Sequence, residues 1–334
     1  MKKYKNKTLI LLFLFLPFIL FANEEEEKDK AGKYISEGMT AYSTEDYTQA
    51  IELFKKAFIL RPDYSALAYN ISCCYALQHE KDSAITWLEK AIELGAYKFS
   101  DDEDFASLKK DKRFQELEKI AEQKIKELES KEWVPVIVLP EEFKEENQYP
   151  IVIALHGFGG NPVNLSKTLE PGVRPLDFIL CCPYGSEVRG STSFSWGDYE
   201  VSEKRILEAL EFLKENYKID TENIILLGYS RGGARVFYTG LKTPEVFSAI
   251  ISVTGYYDED FDDFLEQEAL KDTKIYMMVG EKYRSLESNK KAEKIMKEKG
   301  ISVKLVIYPD LGHAFPPNSK EEIQKALTWI MQDK

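Results

Sequence analysis

The sequence predicts an α/β protein: a mostly parallel sheet with helices on both faces, preceded by a small all-α domain. Three observations carry that expectation. Over residues 31–130 the apolar positions recur at helical spacing. From Trp133 onward, short β-branched runs alternate with amphipathic stretches. Those runs are apolar almost throughout, as strands covered on both faces are.

The chain has 334 residues, enough for two domains and a sizeable core. Lys2, Lys3, Lys5 and Lys7 precede an apolar run from Leu9 to Phe21, broken only by Pro17. A membrane span needs about 20 apolar residues. A shorter run behind lysines reads instead as a secretory signal peptide, residues 1–22, ending at Ala22. The expected location is therefore periplasmic or secreted, with membrane contact only through an uncleaved signal segment. The net charge is −12, and loss of the leader lysines makes it more negative still. Such a chain is repelled by phosphate backbones, so no nucleic-acid partner is expected. The four cysteines form two adjacent pairs, Cys73–Cys74 and Cys181–Cys182. Neighbouring side chains diverge, so the pairs read as packing residues and not as a disulfide framework or a zinc site.

Behind the acidic lead-in, residues repeat with a period of 34. Ala50 matches Ala84, Phe54 matches Leu88, Ala57 matches Ala91, and Gly38 matches Ser72. Each unit reads as two amphipathic helices, with small residues at the close approaches. Period and residue types resemble the tetratricopeptide repeat. The second copy departs at Lys81 and Ala96, where the first has Tyr47 and Pro62. The resemblance implies a concave surface and a possible protein or peptide partner. Residues 105–128 read as a further helical stretch that caps the repeats, and residues 122–131 as its charged end and a hinge.

The region 133–334 follows in order. Strands are expected at 136–139, 149–155, 176–182, 223–227, 247–253, 274–279 and 302–308. Helices are expected at 202–217, 233–241, 287–299 and 318–331.

Gly228-Tyr229-Ser230-Arg231-Gly232 leaves one of these strands and opens a helix. A serine there sits on a sharp strand-to-helix bend, and the flanking glycines leave room for neighbouring backbone. That context marks Ser230 as a nucleophile. His156-Gly157-Phe158-Gly159-Gly160 ends an earlier strand, where small residues let backbone amides approach a substrate carbonyl. The amides of Phe158 and Arg231 are the expected oxyanion hole. Of the three histidines, His79 lies in the helical repeat and His156 precedes the nucleophile. His313 follows the last strand and is the expected general base.

These motifs resemble the α/β-hydrolase superfamily of serine esterases, near the carboxylesterase, polyester depolymerase and feruloyl-esterase-like groups. The resemblance implies acyl transfer at carboxylic esters, with no metal and no organic cofactor. It also implies an aspartate three residues after the glycine that ends the penultimate strand. That glycine is Gly280, and the third residue on is Tyr283. Glu281, Asp258 and Glu287 are the candidate substitutes, and absence of an acid is a fourth possibility. Trp196 is placed where a substrate-binding wall would lie, and Tyr256, Tyr257 and Phe315 are candidates for the same cleft. The acidic run 258–263 reads as a solvated loop. Two other readings stay open: a prolyl-oligopeptidase-like serine peptidase, and a non-catalytic binding protein whose degenerate hydrolase domain accompanies the repeats.

Overall fold

The computed structural model describes residues 30–332. The expected signal peptide, residues 1–22, lies outside the described residues. The chain divides between Ser130 and Lys131 into two compact units.

The first unit is helical. Helix α1 covers residues 30–43. It is followed by α2 (Tyr47–Leu60), α3 (Ser65–Leu77), α4 (Lys81–Glu93) and α5 (Lys112–Glu129). Asp46 caps α2 by accepting from Gln49 N, and Asp111 caps α5 by accepting from Arg113 N. The repeated positions Ala50, Ala84, Phe54, Leu88, Ala57 and Ala91 are all fully buried. Gly38 lies against the Phe54 ring, and Ser72 Oγ donates to Ala84 O at 2.7 Å. Gly38 of α1 thus meets α2, and its match Ser72 of α3 meets α4.

The second unit is a seven-stranded sheet with helices on both faces. Its elements are β1 (Val136–Val138), β2 (Tyr149–Leu155), α6 (Pro162–Val173), β3 (Ile179–Cys182), β4 (Glu187–Val188), β5 (Phe194–Ser195) and α7 (Tyr199–Asn216). There follow β6 (Ile219–Tyr229), α8 (Arg231–Lys242), β7 (Ala249–Val253), β8 (Lys274–Gly280), α9 (Leu286–Glu298), β9 (Ser302–Tyr308) and α10 (Ser319–Met331). The sheet order is β1-β3-β2-β6-β7-β8-β9; β1 is antiparallel and every other pairing is parallel. Strands β4 and β5 form a separate hairpin.

Alternation along each strand divides the core in two. Ile151, Ile153 and Leu155 of β2 pack with α7, α8 and α9, while Val152 and Ala154 pack with α6 and α10. The cysteine pairs split in the same way. Cys181 joins one face and Cys182 the other, and in the helical unit Cys73 and Cys74 enter different clusters. All four are free thiols and buried. The acidic run at 258–263, expected as a loop, instead begins a 3-10 helix, Glu259–Glu266, capped by Asp258.

The chain enters the parallel sheet at β2, runs outward to β3, and returns to the other side of β2 as β6. The carboxyl ends of β2 and β6 therefore flank the point where strand order reverses, the place where open parallel sheets leave a crevice.

Candidate active site

Ser230 stands between the end of β6 and the first residue of α8. Its backbone has φ +55° and ψ −117°, a strained conformation that a non-glycine residue adopts only where its surroundings impose it. The surroundings here are specific. Ser230 N donates to Val253 O at 2.8 Å, tying the bend to β7. A Cβ on Gly228 would lie 2.2 Å from Gly232 O, and one on Gly232 would lie 2.4 Å from Leu155 O. Glycine at both positions is what lets β6 turn straight into α8 beside β2.

His313 reaches this bend from the loop between β9 and α10. Its Nε2 lies 2.7 Å from Ser230 Oγ. Two contacts bring that loop in. A Cβ on Gly280 would lie 2.2 Å from Leu311 O, so the loop crosses directly over the end of β8. Lys282 N then donates to Leu311 O at 2.9 Å. Partial burial and the nearby Arg284 guanidinium both hold the His313 imidazole below its ordinary range. It is therefore neutral at pH 7 and able to accept a proton.

Of the two expected oxyanion donors, Arg231 adjoins Ser230 in the chain, and Phe158 follows Gly157, on which a Cβ would lie 3.2 Å from Ser230 Cβ. Phe158 follows the end of β2 and Arg231 opens α8, and neither amide donates to a backbone acceptor in the loops and caps of the described residues. Phe158 is 52% exposed, with the guanidinium carbons of Arg189 and Arg231 each 4.4 Å from its ring centroid. Arg231 also donates to Ser195 Oγ at 3.1 Å.

The loop carrying Phe158 is anchored by His156, which is 2% exposed. Its Nδ1 is 2.8 Å from Gly157 O and its Nε2 accepts from Gly185 N at 3.2 Å. Burial pushes the ring down to about 4, so it is neutral.

Two expectations are corrected here. Trp196, expected as a substrate-binding wall, is 1% exposed and belongs to the core. Its ring lies tilted against His156, centroids 5.1 Å apart, and its Nε1 donates to His156 O at 2.8 Å. The indole is drawn inward because it satisfies a buried carbonyl. Nor does any of the three candidate carboxylates hydrogen-bond His313. Glu281 accepts from Asp310 N at 3.1 Å, Asp258 faces Tyr199 Oη and Asp260 N, and Glu287 pairs with Lys290 at 2.9 Å. Instead, Tyr283 stacks on the imidazole, with centroids 4.6 Å apart and planes within 20°. Tyr229 lies nearly parallel to it at 5.5 Å and stacks on Phe315 at 4.5 Å. Of the other cleft candidates, Tyr256 is partly exposed, while Tyr257 is buried and donates to Asp262 at 2.9 Å.

Among the described residues, one group has metal-ligand spacing. Cys73, Asp102 and Asp104 place ligand atoms within 4.8 Å of one another, in the helical unit. Both carboxylates accept from tyrosine hydroxyls, Tyr69 on Asp102 and Tyr42 on Asp104, which accounts for the cluster without an ion.

Residues 194–330 match the dienelactone hydrolase family, a stretch that includes Ser230 and His313. A solved structure of an uncharacterized protein from Bacillus cereus is similar over 90% of this chain and 99% of its own, at 18% identity and a TM-score of 0.52. The structure of esterase PE8 covers 60% of this chain and 100% of its own, at 17% identity and a TM-score of 0.48. Among curated proteins, a chloroplastic protein of Arabidopsis thaliana is 28% identical over 103 residues, 29% of this chain. The chain spans about a third of that relative's length, the matched share being 31%. With a serine bend closing a central parallel strand and helices on both faces of the sheet, the C-terminal unit has the α/β-hydrolase fold.

Proposed function

We propose that the chain is an exported serine hydrolase that cleaves carboxylic esters through an acyl-enzyme on Ser230. The observation that carries this reading is the 2.7 Å approach of His313 Nε2 to Ser230 Oγ at a strained bend. The match to a family of lactone hydrolases over residues 194–330 supports ester substrates, since a lactone is a cyclic ester.

In the proposed reaction, neutral His313 takes the Ser230 proton on Nε2 as Oγ attacks the ester carbonyl carbon. The amides of Phe158 and Arg231 hold the oxyanion that forms. His313 then returns the proton to the departing alkoxide, which leaves the acyl group on Ser230. A water molecule, deprotonated by His313, releases the carboxylic acid and restores the serine. The strained bend and the short Ser–His approach favour this reading over a degenerate binding domain, which needs neither.

Export rests on the lysine-led apolar segment at 1–22. The helical unit is proposed as a tetratricopeptide-type scaffold for a peptide partner, supported by the burial of its matched residues.

A fluorophosphonate probe tests the central claim. The wild-type chain is expected to label covalently and to hydrolyse p-nitrophenyl acetate. Ser230→Ala should abolish labelling and lower turnover by roughly a thousandfold or more. Equal turnover in Ser230→Ala would reject the assignment.

A further inference from the structure

We propose that Tyr283 is a positioning residue for His313, its ring orienting the imidazole by stacking where the resembled hydrolases carry an orienting carboxylate. The inference rests on the Ser230–His313 reading above and concerns how the base is held.

The base of such a pair must keep Nε2 aimed at the serine oxygen. A carboxylate on Nδ1 usually does this. Here Glu281, Asp258 and Glu287 are all engaged elsewhere. What meets His313 is an aromatic ring against the face of the imidazole, 4.6 Å away and 20° from parallel. Tyr283 stands at the sequence position where the aspartate is expected, three residues past Gly280.

The ring is itself fixed. Tyr283 N donates to Gly280 O at 3.0 Å, closing a tight turn after β8. Glu281 N donates to Tyr308 O and Lys282 N to Leu311 O, each at 2.9 Å, which joins that turn to the loop bearing His313. Lys282 and Asp310 add an ion pair at 2.7 Å between the same two segments. The two loops thus form one assembly, and the stack between Tyr283 and His313 is its inner contact. Tyr229, held against Phe315, gives the imidazole a second near-parallel aromatic neighbour.

Stacked rings restrict the tilt of the imidazole plane, which is the geometric half of the carboxylate's task. Their π faces also attract the imidazolium that forms when the serine proton is taken. They do not select the tautomer, because among the described residues no acceptor hydrogen-bonds Nδ1. Misplacing a catalytic group by about 1 Å can cost a hundredfold in rate, so loss of the ring should act on turnover and leave ester binding largely in place.

The test compares Tyr283→Phe, Tyr283→Leu and Tyr283→Ala in the full chain, each with a thermal transition matching wild type. Turnover of p-nitrophenyl acetate is followed under saturating and sub-saturating ester. Tyr283→Phe should keep kcat within about threefold, while the leucine and alanine variants lose roughly ten- to a hundredfold in kcat with little change in KM. Leucine fills similar space without a π face, so wild-type kcat in Tyr283→Leu would overturn the proposal. A Phe variant as slow as the Ala variant would also overturn it, by assigning the effect to the hydroxyl. Failure of the underlying reading looks different: wild-type chain that neither labels with a fluorophosphonate nor hydrolyses the ester.

Discussion

Acidification is expected to destabilise the hydrolase unit through His156, and the structure sets the size of the effect. The ring is 2% exposed, and burial pushes it down to about 4. An unfolded histidine titrates near 6.5. The unfolded chain therefore binds a proton that the folded one refuses, and stability is lost as pH falls through that window, levelling off near the lower value. Linkage between those two values gives a loss of about 2 kcal/mol on going from pH 7 to pH 4.5. The geometry agrees with the sign: Nε2 accepts from Gly185 N, so a proton placed there would face an N–H. Carboxylates titrate in the same range, so the control is His156→Gln, whose side-chain carbonyl can still accept from Gly185. Urea unfolding at pH 7 and pH 4.5 should show wild type ahead at neutrality, with the gap to His156→Gln shrinking by about 2 kcal/mol in acid. A constant gap, or an NMR titration of His156 with its midpoint above 6, would refute the reasoning.

Three further outcomes follow from the same site. Because burial and Arg284 hold His313 below its ordinary range, kcat/KM for a neutral ester should rise with pH along one limb centred under about 6.5. A midpoint above 7 would mean that a carboxylate partner raises it. Gly232→Ala puts a methyl group against the Leu155 carbonyl, which cannot swing aside. It should cost about 3 kcal/mol or more in urea unfolding, and a wild-type midpoint would contradict the packing described. Trp196→Phe leaves the buried His156 carbonyl without its donor. A loss of about 1–3 kcal/mol is expected, with KM near wild type because the indole faces the core; a KM change without a stability change would return it to the substrate wall.

The parts of the fold that were legible in the sequence are those where one strand meets one environment. The apolar runs of β2 and β6 announce burial on both faces, and the glycine-flanked Ser230 marks the bend between β6 and α8. Elements built against the usual signals were harder to read. Helix α6 carries Leu165, Leu169 and Val173 at helical spacing, yet Pro171 and Gly172 near its end disguise it. The β4–β5 hairpin has two residues per strand, too few for an alternation to register. At the site, the order of serine and histidine along the chain was readable because chain order follows from topology. The roles of Trp196 and Tyr283 were not. A tryptophan beside a ligand-binding edge looks the same in sequence whether its N–H meets substrate or a buried carbonyl. The missing aspartate was visible as an anomaly, but stacking leaves no spacing rule by which a replacing ring can be found.

The seclusion of the four thiols makes the protein its own unfolding gauge. A thiol reagent added to the native chain should find nothing to modify until a segment opens, so the reaction rate reports opening and not surface chemistry. Since Cys73 and Cys74 sit in the helical unit and Cys181 and Cys182 on β3, peptide mapping of the modified sites would tell which unit loosens first.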